Sequence, residues 1–93
     1  MARNTTLTVT ANTWTQLTAN DVQTITFHVE GNSFVYVKAT VDANAPTDFL
    51  GAPRYRPGQG EKNVALSEIW QGINAVRVWV FSETVAEVFV SHA

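Results

Sequence analysis

The chain has 93 residues, no cysteine, 15% charged residues and a formal net charge of −2 at pH 7. This length indicates one small domain, and the lack of cysteine excludes disulfide bonds and thiolate metal sites. The acidic balance argues against nucleic-acid binding through phosphate contacts. Because the sequence has neither a signal-peptide core at its start nor a run of about 20 apolar residues, we expect no membrane partner and synthesis in the cytoplasm.

β-Branched residues dominate the composition. Thirteen valines, twelve threonines and three isoleucines make up nearly a third of the sequence. Such residues favour pleated strands and disfavour helices. The composition therefore predicts a single all-β domain that spans residues 1–93.

Alternation of apolar and polar residues predicts the strands of the N-terminal half. Residues 6–10 read TLTVT, and residues 12–21 suit a short strand followed by a turn. Residues 22–30, VQTITFHVE, form the clearest strand. Its predicted inward face is Ile25, Phe27 and Val29.

A glycine-containing turn follows this strand. Gly31–Asn32 is a dipeptide that accepts positive φ, which predicts a hairpin between residues 22–30 and residues 33–41. The predicted inward face of the returning strand is Val35, Val37, Ala39 and Val41. Its opposite face carries Phe34, Tyr36 and Lys38.

Residues 42–63 interrupt the strand pattern. This segment holds all three prolines and three of the five glycines. Loops this long are uncommon in compact domains and usually have a function or are disordered. Since Phe49, Leu50 and Tyr55 lie within it, we expect an ordered arm or lid rather than a floppy linker.

The remaining segments predict one helical turn and more strands. Residues 64–66 resume a strand, and SEIWQG suits a single helical turn from a Ser67 cap to a Gly72 stop. Residues 75–81 and 84–91 predict two strands of a hairpin, joined by Ser82–Glu83. Seven or eight short strands predict an antiparallel β-sandwich or a jelly-roll-like barrel.

Few residues suggest catalysis or a metal site. His28 and His92 lack a second ligand nearby in sequence, so they are interpreted as surface histidines. Asp42, Asn44 and Asp48 could approach a calcium ion, although such residues usually cap turns. No nucleophile or phosphate-loop motif occurs. We therefore expect no enzyme activity, cofactor or metal; a small enzyme with a cupin-like barrel remains an alternative.

Two predicted strands carry bulky residues on both faces. A solitary sandwich leaves one face of each sheet to water, which favours polar residues there. Here the second face instead carries Phe34, Tyr36, Trp79 and Phe81. Either the long loop or a partner subunit has to cover these four. We favour a partner, and hence a homo-oligomer such as a dimer or trimer.

The last forty residues resemble small virion structural proteins of tailed bacteriophages. In those proteins a P-G turn precedes a short L-x-x-[IL]-W-x-G stretch, an aromatic-rich strand and a closing V-x-V-S-[HR]-A strand. The matching segments are Pro57–Gly58, Leu66–Gly72, Val76–Phe81 and Val88–Ala93. The resemblance implies a structural role as a capsid decoration or cement subunit, or in a head fibre or tail. It implies no active-site residue.

Taken together, the residues and the resemblance predict a decoration protein on the capsid surface of a virion, bound to the major capsid protein. The predicted capsid contacts come from the arm and are Phe49, Leu50, Arg54, Tyr55 and Arg56. An alternative function is receptor or glycan binding on a head or tail fibre. A sugar-stacking platform would use Trp14, Tyr36, Tyr55, Trp70 and Trp79, although we favour the interpretation that the tryptophans fill the core of the sandwich.

Overall fold

The structure, a computed structural model, describes residues 2–93, which form two antiparallel four-stranded sheets. The all-β prediction is confirmed. The first sheet contains β1 (Arg3–Val9), β3 (Thr24–Glu30), β6 (Gly60–Ala65) and β8 (Ala86–His92). The second contains β2 (Thr15–Gln16), β4 (Val35–Thr40), β5 (Arg54–Tyr55) and β7 (Arg77–Phe81). A four-residue helix, α1 (Leu66–Ile69), follows β6.

The strand order identifies a jelly roll, which is one of the two predicted architectures. The first sheet has the order β1-β8-β3-β6 and the second has the order β2-β7-β4-β5. Strand β1 pairs with β8, β2 with β7, β3 with β6 and β4 with β5, all antiparallel. The chain is therefore one long hairpin whose paired arms are rolled across two sheets, as in eight-stranded jelly rolls.

This topology shows that both predicted hairpins are wrong. Gly31–Asn32 joins β3 to β4, and Ser82–Glu83 joins β7 to β8, but each pair of strands lies in different sheets. Gly31 does adopt a positive φ of 79°, as its turn requires. A turn sequence specifies the local bend of the chain. The partner of each strand is instead set by the pairing of segments that are far apart in the sequence.

The core lies between the sheets and consists of the inward residues of the alternating strands. The alternation predicted in β3 holds, because Ile25, Phe27 and Val29 are buried at every second position, whereas in β7 Trp79 is buried as well as Val78 and Val80. Fully buried residues from the central strands are Ile25, Phe27, Val29, Val35, Val37, Val78, Val80, Val88 and Val90. Each such side chain stabilises the fold by about 1.5–3 kcal/mol relative to an exposed one. Val41 was predicted to face inward but is 57% exposed, since β4 ends at Thr40.

The predicted loop over residues 42–63 is shorter in the structure. Irregular structure extends over residues 41–53 and 56–59, because β5 and the start of β6 fall within the predicted segment. The strand predicted at residues 64–66 is in fact β6, which begins at Gly60, and its last predicted residue starts α1. Ser67 does not cap the helix. The N-cap position is Ala65, which has no side-chain cap.

Strand β6 is irregular along its pairing with β3. The register shifts between Ile25 and Phe27, which marks a bulge or similar irregularity. Asn63 has a positive φ of 48°, and its backbone N–H donates to Thr26 Oγ1 over 2.8 Å. The hydroxyl group thus satisfies a backbone donor at the point where the regular ladder is broken.

Candidate interaction surface

The outer side of the second sheet carries a cluster of aromatic side chains. Valine and Ala39 fill the inward positions of β4 and β7, so the alternating residues of these strands point away from the core. Tyr36 and Phe81 are paired in register across the two strands. We call the cluster the aromatic face, and its members are Trp14, Phe34, Tyr36, Phe49 and Phe81.

Phe49 lies at the centre of the aromatic face, although it comes from the irregular segment 41–53. Its ring centroid is 4.9 Å from those of Tyr36 and Phe81, and 5.5 Å from that of Trp14. The loop therefore covers part of the second-face aromatics, which was the alternative to coverage by a partner. Phe49 nevertheless remains 46% exposed, and the adjacent Leu50 is 79% exposed.

The four residues predicted to contact partner subunits differ in accessibility. Phe34, Tyr36 and Phe81 are partly buried on the aromatic face. Trp79 is only 8% exposed, and its indole N–H donates to Thr40 Oγ1 over 2.9 Å. Trp79 therefore presents little surface to a partner, whereas the other three are joined to the arm residue Phe49 in one continuous surface.

An ion pair and a tryptophan hydrogen bond hold the segment that carries Phe49. Lys38 Nζ lies 2.5 Å from Asp48 Oδ1, which also accepts the backbone N–H of Leu50 over 3.2 Å. The hydrogen bond from Lys38 lowers the pKa of the Asp48 carboxyl group below its ordinary value. Beyond Phe49, the carbonyl oxygen of Gly51 accepts the indole N–H of the buried Trp70 over 2.9 Å.

The other predicted capsid contacts separate into two groups. The Arg54 guanidinium carbon lies 5.1 Å from the ring centroid of Phe34, so a positive charge borders the aromatic face. Arg56 is exposed beside β5. Tyr55 instead packs edge-on against the buried Phe27, with 4.9 Å between ring centroids.

Tyr55 is a structural residue in this arrangement. Its hydroxyl group donates to Glu61 Oε2 over 3.0 Å. Burial, followed by the hydrogen bond to Glu61, raises the pKa of the phenol well above its ordinary value of 10.0. A phenol that packs against the core and is bonded to β6 fastens β5 to the domain, and it is poorly placed to anchor a partner.

The aromatic residues considered for a sugar platform are likewise divided. Trp70 and Trp79 are buried, and Tyr55 packs on the core. Trp14 and Tyr36 stay on the aromatic face and are partly exposed. Sequence reasoning missed the contact of Trp14 with Phe49 and Phe81, because the only signal was a lone tryptophan in a polar stretch.

The two histidines occupy different environments. His28 is exposed, with Nδ1 2.5 Å from Glu30 Oε2. The interpretation of His92 as a surface residue is wrong: it is 7% exposed, and its Nε2 accepts the backbone N–H of Ala19 over 3.0 Å. His92 is buried because β8 continues to this residue and pairs there with Arg3.

The acidic residues of the 41–53 segment cap turns. Asp42 Oδ1 accepts the backbone N–H of Asn44 over 2.9 Å, and Asp48 accepts that of Leu50. These are the turn-capping roles that were the alternative to calcium binding. Among residues 2–93, no three histidine or acidic side chains come together as a metal site would require.

Comparisons with known proteins identify no relative. No family model matches the chain, and no match is found among curated proteins or solved structures. Within residues 2–93, no helix has the length and apolar character needed to cross a membrane.

Proposed function

We propose that this chain is a non-enzymatic virion structural protein that decorates a tailed-phage capsid and binds the major capsid protein. The aromatic face is the observation that carries the proposal. It gathers five aromatic rings on the solvent side of a sheet, and Phe49 at its centre is nearly half exposed. The sequence resemblance of residues 57–93 to phage virion proteins supports the same class of function.

The composition of this surface suits a protein partner. Aromatic residues and arginine are enriched in protein interfaces, and binding energy concentrates in a few such residues. On the aromatic face, Arg54 borders Phe34, and the exposed Leu50 extends the apolar surface beside Phe49. Burial of Phe49 and Leu50 on binding would remove apolar area from water, which is the main driving force of association.

The fold supports the proposal only as an analogy. Jelly rolls occur in viral capsid proteins, lectins and cupins, so the architecture is shared by all the functions considered. The aromatic face is therefore stronger support for the proposed function than the strand topology. On binding, each subunit would stabilise the shell by mass action, because a ligand that binds only the assembled state favours that state.

The test is binding of the purified protein to mature capsids, measured by co-sedimentation. Phe49→Asp places a charge at the centre of the aromatic face and should weaken binding by tenfold or more, that is, about 1.4 kcal/mol or more. Ile73→Asp is the matched control, because Ile73 is 47% exposed and lies outside the aromatic face. Absence of wild-type binding, or equal loss in both variants, would refute the proposal.

Glycan binding at the same face is the second candidate. Trp14 and Tyr36 both keep part of their rings exposed there, and aromatic rings stack on sugars. A glycan array probed with the wild type and with Trp14→Ala separates the two functions. Glycan binding that depends on Trp14, without affinity for capsids, would favour the fibre function.

A further inference from the structure

Strand β1 is an open edge of the first sheet. The strand order β1-β8-β3-β6 gives it a partner, β8, on one side only. Its register with β8 is continuous from Arg3↔His92 to Val9↔Ala86, without a bulge. Residues 4–10 contain no charged residue, proline or glycine. Backbone groups on the other side of such a strand are free to pair with a further strand.

The other sheet edges carry the protection that β1 lacks. Proteins protect edges with bulges, charged residues or very short strands. Edge strand β6 has an irregular register and carries Glu61 and Lys62. Edge strands β2 and β5 have two residues each. Within residues 2–93, β1 is thus the long, regular edge without a charge along residues 4–9.

We propose that β1 pairs antiparallel with β1 of a second copy of this chain, about a two-fold axis through Thr6. This register matches the whole strand with itself. Thr6 faces Thr6 of the second copy, Asn4 faces Thr8, and Thr5 faces Leu7. Cross-strand threonine pairs stabilise a sheet, and a two-fold interface requires such self-complementarity. The two first sheets become one continuous eight-stranded sheet.

The second copy is favoured as the occupant by the surface of β1 itself. Asn4, Thr5, Thr6 and Thr8 are exposed and uncharged, so neither copy repels the other along the strand. Leu7 is partly buried against the core, and a paired strand would cover it further. A cysteine-free domain of 93 residues also has a thin stability margin that oligomerisation improves.

This dimer does not use the aromatic face, which lies on the second sheet. It therefore moves the subunit contact away from the aromatic residues predicted to form it, and it leaves that face available to another partner. The inference does not rest on the proposed capsid function, and the two can fail separately.

Light scattering of the full chain over a concentration series tests the inference. We expect the wild type to reach twice the 10.2 kDa chain mass. Thr6→Lys and Thr6→Glu should each be monomeric, since like charges would meet on the two-fold axis. An equimolar mixture of the two variants should restore the dimer, because opposite charges then face each other.

Ser67→Lys is the control for added charge, because Ser67 is exposed in α1, which follows the opposite edge strand β6. It should remain dimeric. A monomeric wild type at every concentration, or a Thr6→Lys protein that stays dimeric, would overturn the inference. As a second measurement, backbone amide exchange in β1 should slow as wild-type concentration rises, and unchanged exchange would also overturn it. Phe49→Asp should still dimerise, which separates this contact from capsid binding.

Discussion

Gly60 lies so close to β3 that a Cβ atom at this position would be 2.0 Å from the carbonyl oxygen of Phe27. Real Cβ atoms essentially never come within 3.0 Å of such a non-bonded heavy atom. The neighbour is backbone, which cannot rotate away as a flexible side chain would. Glycine is therefore required where β6 begins, for reasons of space.

We expect Gly60→Ala to lower the free energy of unfolding by about 1–3 kcal/mol, the usual cost of overpacking. Urea denaturation measures this change. Lys62→Ala, at an exposed position of the same strand, should stay within about 0.5 kcal/mol of the wild type. Equal stability of the Gly60→Ala protein and the wild type would contradict the close approach.

Phe49 should contribute to stability even though it is nearly half exposed. Phe49→Ala removes three aromatic contacts, and each aromatic pair contributes about 0.5–1.5 kcal/mol beyond its buried area. We expect a loss of about 1–2 kcal/mol and faster proteolysis of residues 41–53. Leu50→Ala, at the adjacent and more exposed position, should change neither measurement. Identical effects of the two substitutions would refute the packing of Phe49.

The Lys38–Asp48 ion pair holds segment 41–53 to β4, and we predict that acid weakens this attachment. A carboxyl group whose pKa is lowered in the folded chain stabilises the fold above its ordinary value of 3.8. That stability is lost as the pH falls through the lowered pKa. NMR titration of the Asp48 carboxyl carbon should give a pKa below 3.8, and Lys38→Met should return it toward that value. Lys62→Met should leave the pKa of Asp48 unchanged. A wild-type Asp48 pKa that is not lowered would show that the ion pair with Lys38 does not form.

We predict that the Tyr55 phenol makes the stability of the fold depend on pH in the alkaline range, where stability is lost as the pH rises. Its pKa is raised in the folded chain, so its contribution is complete below pH 10.0 and is lost as the pH rises above that value. We expect the free energy of unfolding to fall as the pH rises above 10.0 toward the raised pKa of the folded phenol. Tyr55→Phe should reduce this alkaline loss, and Tyr36→Phe should retain it. If both variants respond alike, the Tyr55–Glu61 hydrogen bond is not the cause.

The sequence predicts the faces of strands better than their partners. Alternation correctly placed Phe27 and Val37 in the core, because a side-chain period of two is a local property. The pairing of β3 with β8 depends on segments that are far apart in the chain, which no turn residue specifies. The Gly31–Asn32 turn therefore suggested a hairpin where the chain passes to the other sheet.

The interaction surface was predicted in parts but not as a whole. Large aromatic side chains at the outer positions of β4 and β7 indicate that another segment or subunit shields Tyr36 and Phe81 from water. The sequence offers cover by the long loop only as an alternative and does not single out Phe49, because the path of an irregular segment has no periodic signal. The short strand β5 was missed for a similar reason: two residues, Arg54 and Tyr55, are too few to show alternation.

The pairing of the first strand with the last also has a consequence for synthesis on the ribosome. Strand β1 is made first of the eight, and β8, its neighbour in the sheet, is made last. The first sheet cannot be completed during translation until β8 has emerged, since β8 also separates β1 from β3. The nascent chain therefore carries an apolar, unfinished sheet for most of its elongation, and such intermediates are prone to aggregate. Translation speed and chaperone access should thus influence the yield of this protein more than that of a helical domain of equal length.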